Sequence, residues 1–162
     1  MELPFTIPLR LQWICSDYSG ENNSDHDREN RYLHKYIFMK KIITSENAPA
    51  PIGPYSHAVL HGNMLFISGQ VGKHPKTGAI PDAVDQQAEQ VMDNLKGILA
   101  DAGMDFSHVV KTTIFLKDMN DFTTVNGIYG SGFTGNYPAR ETVEVARLPL
   151  DVKVEISMIA MK

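Results

Sequence analysis

Two charged side chains occupy positions from which strand patterning would turn them away from a core. In YPARETVEVARLP, residues 137–149, Arg140 follows a Pro-Ala step and then apolar and polar residues alternate. Period-two alternation sends Val143 and Val145 to one face and Arg140, Thr142 and Glu144 to the other. In VKVEISMIAM, residues 152–161, Val154, Ile156 and Met158 share one face while Lys153, Glu155 and Ser157 share the opposite one. A guanidinium that is always charged and a carboxylate lining one surface, sheltered by a neighbouring subunit, would make an anion pocket. The same pattern also fits a surface ion pair or a solvated strand face, which do nothing chemical. Patterning alone leaves both readings open.

Other chemistry-bearing residues point to less. His57 and His61 would suit a metal on a helix, but on an extended strand they stand roughly 13 Å apart, so no metal site is expected. Ser68 has no histidine and acid at a recognisable spacing to activate it. GQVG, residues 69–72, is too short for a phosphate loop. Tyr55 after Pro54, and Asn126 among glycines, read equally as packing or as satisfied backbone. The net charge of −4 gives no cationic footprint for nucleic acid. A lone cysteine, Cys15, fits a reducing compartment, and no apolar run is long enough to span a membrane, so a cytoplasmic location is expected.

The elements that must position these residues are legible from residue 39 onward. KKIIT and HAVLHGNMLFISG read as extended runs, the latter a hairpin around HGN. DQQAEQVMDNLKGILADAG carries Ala88, Val91, Met92, Leu95, Ile98, Leu99 and Ala102 on one helical stripe, with Asp82 or Asp85 as the cap and Gly103 as the stop. HVVKTTIFLKD reads as an interior strand with Val110, Thr112, Ile114 and Leu116 on one face and Val109, Lys111, Thr113 and Phe115 on the other. A second helix is expected from Asn120 or Asp121, burying Phe122, Val125 and Tyr129, although each of its glycines costs roughly 1 kcal/mol. Two further strands, joined by a turn in RLPLD, complete the order β, β, β, α, β, α, β, β. This predicts an α+β domain with a mixed sheet and two helices on one face. The other face is also partly apolar, and a copy of the same chain is the cheapest cover for it.

Residues 1–38 are different. An apolar stretch broken by Pro4 and Pro8 precedes a polar run, with six acidic residues against four basic ones, which fits neither a secretory nor a mitochondrial signal. They are expected to be a disordered extension, or translation assigned upstream of a start at Met39.

Four ordered segments, NAPAPIGPYSHAV, GNMLFISGQVG, VVKTTIFLKDMNDFTTVNGIY and YPARETVEVARLPLDVKVEISMIA, resemble the RidA family, also called YjgF, over residues 40–162. The resemblance implies a chorismate-mutase-like fold for residues 39–162 and a homotrimer with sites in the clefts between subunits. It also implies deamination of 2-imino and enamino acids such as 2-aminoacrylate to 2-oxo acids and ammonia, with no metal or organic cofactor. Arg140 matches the arginine that clamps the substrate carboxylate, and Glu155 the carboxylate that positions water or passes protons. Tyr55 matches a pocket tyrosine expected to act with them as a catalytic residue, and Ser68, Gly69, Asn126 and Thr142 are expected to bind the substrate. Thr142 stands where many members carry cysteine, so no thiol chemistry is expected there. GSGFTGN, residues 130–136, is shorter than in some relatives and rich in glycine, and Gly132 in place of a bulkier, often aromatic residue would widen the pocket rim.

Two other functions remain open at this level. One is a trimeric module that binds a 2-oxo acid or amino acid without turnover, or a chaperone-like holdase. The other is a ribonuclease or translation inhibitor, for which the chain lacks a basic patch.

Overall fold

The computed structural model describes residues 39–162, so the expectations for residues 1–38 lie outside the described residues. Eight regular elements follow in the expected order: β1 (Lys41–Ile43), β2 (Ala58–His61), β3 (Met64–Val71), α1 (Val84–Asp101), β4 (Val109–Leu116), α2 (Phe122–Ser131), β5 (Ala139–Glu144) and β6 (Val154–Met161). The strands form one sheet in the order β1-β2-β3-β6-β4-β5. Every neighbour pair is antiparallel except β4 and β5, which the α2 crossover makes parallel. The sheet is therefore mixed, as expected.

The α1 stripe supplies the core. Val91, Leu95, Ile98 and Leu99 are wholly buried against Leu65, Ile114, Leu116, Val154 and Ile156 of the sheet. Gly103 ends the helix region with a φ of 68°, the left-handed conformation that costs glycine little. The start differs from expectation. Neither Asp82 nor Asp85 caps α1; the N-cap is Ala83, without a side-chain hydrogen bond. Gln87 secures this end instead, donating to the Pro81 carbonyl at 2.7 Å and accepting from the Lys153 amide at 2.8 Å.

Three other expectations are corrected. Phe122 is exposed rather than buried, and only Val125 and Tyr129 of α2 enter the core. Val109 is buried and Val110 exposed, because a bulge between Val109 and Lys111 reverses the alternation at the start of β4. The third concerns β5. Its register places Arg140 beside Thr112, Thr142 beside Ile114 and Glu144 beside Leu116. Those three β4 residues are buried on the helix-bearing side, so Arg140 belongs to that side and not to the open one. Val143, paired with Phe115, faces the open side.

That open face carries a contiguous apolar band. Ile42, Val59, Phe66 and Ile159 are successive register partners across β1, β2, β3 and β6. Ile42, Phe66, Val110 and Val143 remain exposed, each by at least 40%.

Candidate active site

The sequence candidates fall into two clusters. The first surrounds Arg140. Its Nη1 donates to Asn126 Oδ1 at 2.7 Å, and its guanidinium carbon lies 5.0 Å from the Tyr129 ring centroid and 5.8 Å from that of Phe122. Asn126 and Tyr129 are three apart on α2, so one helical turn presents both to the arginine. Tyr129 is fixed in turn: its hydroxyl donates to Thr112 Oγ1 at 3.2 Å. Burial pushes the Tyr129 hydroxyl pKa up, against smaller opposing effects from Thr112 and Arg140. Phe133 stacks on Tyr129 and reaches Tyr137, whose ring edges the cavity. The cavity measures about 490 Å³ and is lined by Asn126, Tyr129, Gly130, Tyr137, Pro138 and Arg140. Asn126 is the one hydrogen-bond partner of the Arg140 guanidinium among the described residues. The remaining guanidinium donors can grip a carboxylate in the bidentate manner.

The second cluster surrounds Glu155. A register shift in β3 between Ile67 and Gln70 sets Ser68 and Gly69 out of the regular ladder with β6. The Ser68 hydroxyl donates to the Ser56 carbonyl at 2.7 Å. Gly69 has a specific function here: a β-carbon on it would stand 2.8 Å from Cδ of Glu155. Only a residue without a side chain admits the carboxyl to that place. Glu155 is half-buried, its carboxyl has no hydrogen-bond partner among the described residues, and burial alone raises its pKa above the ordinary glutamate value. A cavity of about 320 Å³ opens onto it, walled by Tyr55, Ile52, Ser68, Gly69 and Leu150. Leu150 holds a positive φ of 57°, a strained conformation for a leucine beside a cavity.

The two clusters do not meet within one chain. Glu155 is the register partner of Phe115, which is itself paired with Val143, and these residues face the open side. Arg140 faces the helix side, so the expectation that both groups line one surface of a protomer is corrected. Thr142 lies beside Asn126 and Arg140 around a small pocket, with its hydroxyl oxygen buried and without a hydrogen-bond partner among the described residues.

Sequence reasoning missed Tyr129 and Tyr137 as pocket residues. Tyr129 was legible only as a core residue of α2, and Tyr137 gave no signal beyond its place before Pro-Ala-Arg. Among the described residues no cluster of histidine, cysteine, aspartate or glutamate could hold a metal ion, and no helix is long and apolar enough to cross a membrane.

Comparison with known proteins decides the family. The family model described as Endoribonuclease L-PSP matches residues 45–162. The chain belongs to this family. It is the one in which the RidA and YjgF proteins fall. A family member from Escherichia coli K12, 2-iminobutanoate/2-iminopropanoate deaminase, is 53% identical over 127 residues, covering 76% of this chain and 99% of that one. The crystal structure of the YjgF gene product from E. coli superimposes with a TM-score of 0.73 at 53% identity, over 75% of this chain and 98% of that one. E. coli TdcF with bound serine superimposes with a TM-score of 0.73 at 45% identity, again over 75% and 98%. The mixed sheet with two helices is the family's fold.

Proposed function

We propose that this chain is a 2-imino acid deaminase, an enzyme that hydrolyses 2-iminobutanoate, 2-iminopropanoate and the related enamine 2-aminoacrylate to 2-oxo acids and ammonia. The observation that carries the reading is the 53% identity with the E. coli deaminase across 99% of that enzyme. The two clusters supply chemistry suited to it. Arg140, steadied by Asn126 and stacked on Tyr129, holds the substrate carboxylate. An enamine first takes a proton at C3 to become the imine. Glu155 accepts a proton from water as the water oxygen bonds to C2, and the C=N bond becomes a C–N single bond. The same carboxyl then returns that proton to nitrogen; the C–N bond breaks to release ammonia as C2–OH becomes C=O, the hydroxyl proton passing to the carboxylate and on to solvent, and the 2-oxo acid remains. A carboxyl lifted above its usual range by burial suits both steps near neutral pH. Tyr55, Ser68 and Gly69 shape the wall around Glu155.

Groups on opposite faces of one sheet do not act on a single small molecule. The reading therefore includes a homotrimer in which Arg140 of one copy closes on Glu155 of the next, and the apolar band on the open face is the surface such copies would cover. Residues 39–162 form the catalytic domain in this reading. Because 2-imino acids hydrolyse spontaneously, the enzyme belongs where amino-acid dehydratases release them, which is the cytoplasm.

Serine bound to the TdcF relative favours a second reading, amino-acid binding without turnover. One experiment separates the two: 2-aminoacrylate is generated from serine by a dehydratase and pyruvate formation is followed with wild type and Arg140→Ala. Acceleration by wild type, lost in the variant, is expected. Equal, uncatalysed rates with intact oligomers would overturn the enzyme reading.

A further inference from the structure

We propose that the His57 ring is a latch that sets the outer wall of the Glu155 cavity, a positioning residue for the reaction proposed above, on which this inference rests. His57 lies just before β2 and is 3% exposed. Its Nδ1 accepts the Ser45 amide at 3.1 Å and its Nε2 donates to the Pro49 carbonyl at 2.8 Å. An amide only donates and a carbonyl only accepts, so the ring is the neutral Nε2–H tautomer. The backbone carbonyl of His57 accepts the Ser68 amide at 3.0 Å. One residue thus grips both the entering chain and the displaced Ser68–Gly69 stretch of β3.

The entering chain also packs Ala48 into the core and Asn47 against Gly97 of α1, but few hydrogen bonds hold it. Residues 44–55 form no helix or strand, and Pro49, Pro51 and Pro54 donate nothing. The Asn47 amide bonds to Ser45 Oγ, the Ile52 amide to the Tyr55 hydroxyl and the Tyr55 amide to the Gly53 carbonyl, all within the segment. Among the described residues, the hydrogen bonds that tie this segment to the rest of the fold are the two on the His57 ring. Its far end supplies Ile52 and Tyr55, which wall the cavity onto which Glu155 opens. A smaller cavity of about 30 Å³ runs behind that wall, bounded by His57, Pro49, Tyr55, Gly69 and Leu150. Releasing the latch would free the wall while Glu155 stays anchored on β6. The loss should fall on substrate binding more than on the chemical step.

Glutamine can reproduce the latch, with its amide oxygen towards Ser45 and its NH₂ towards Pro49, whereas leucine fills the space with neither group. Wild type, His57→Gln and His57→Leu are compared as intact oligomers by hydrogen exchange at the Ser45 amide and by kinetics with serine-derived 2-aminoacrylate. His57→Leu removes both ring hydrogen bonds and should lose protection at Ser45 and raise KM about tenfold with kcat little changed, while His57→Gln restores both. A folded His57→Leu with wild-type KM, or a His57→Gln as impaired as leucine, would overturn the latch. Should leucine prevent folding, ring-nitrogen NMR of the wild type decides, since a proton on Nδ1 contradicts the geometry. If wild type shows no turnover, the deaminase reading fails separately, and Ser45 exchange with 2-oxobutanoate binding by calorimetry still judges the latch.

Discussion

Gly69→Ala adds one methyl group and removes the space that the Glu155 carboxyl occupies. The new β-carbon would lie 2.8 Å from Cδ and 3.0 Å from Cγ of Glu155. Carbon atoms rest about 3.5–4.0 Å apart, so the carboxyl must retreat by roughly 1 Å. The backbone at Gly69 is not in the left-handed region, so alanine brings no conformational strain of its own. A misplacement of about 1 Å at a reacting group costs on the order of 100-fold in rate. That corresponds to about 2.7 kcal/mol of transition-state stabilisation. Pyruvate release from enzymatically generated 2-aminoacrylate measures the loss, with thermal unfolding as the control for folding. A folded Gly69→Ala protein within twofold of wild type would refute the assigned function of Gly69 and weaken that of Glu155.

Three further outcomes are expected. Because burial raises the Glu155 pKa, kcat/KM should fall on the acid side with a midpoint above the ordinary glutamate range, and Glu155→Gln should lose that limb along with most of the rate. An acid with a raised folded pKa destabilises the fold once ionised, so stability falls as pH rises from the unfolded value through the folded one. In an Arg140→Ala background, where no guanidinium can compensate, Glu155→Gln should therefore raise Tm at neutral pH and leave it unchanged in acid. Thr142→Val should raise stability by about 1 kcal/mol in chemical denaturation, since it replaces a buried unpaired hydroxyl with a methyl group of the same shape.

How much of this was legible in the sequence depended on which force set each pattern. The α1 stripe and β6 alternate against one core, and both were readable because burial alone dictates them. In β5 the apolar position Val143 reports an apolar open face rather than the core. The side on which Arg140 lies is fixed by parallel pairing with β4, a long-range contact that periodicity does not encode. Bulges at Val109–Lys111 and Ile67–Gln70 shift the phase within single strands without any local signal. The identities of Arg140, Glu155, Tyr55, Ser68, Gly69, Asn126 and Thr142 came from family motifs, and the structure gathers them into two clusters. Tyr129 and His57 lie within the matching segments, but their parts in holding Arg140 and the wall around Glu155 rest on contacts remote in sequence.

The division of the site between copies is the central claim, and mixed oligomers test it most directly. Arg140→Ala and Glu155→Gln proteins, each inactive alone, are unfolded together, refolded as an equal mixture and assayed for 2-aminoacrylate deamination. If each site joins Arg140 of one copy to Glu155 of the next, random assembly gives roughly one quarter of sites both intact groups, and about a quarter of wild-type activity returns. If both groups served within one chain, no mixed oligomer would contain a complete site, and activity would stay at the level of the separate variants.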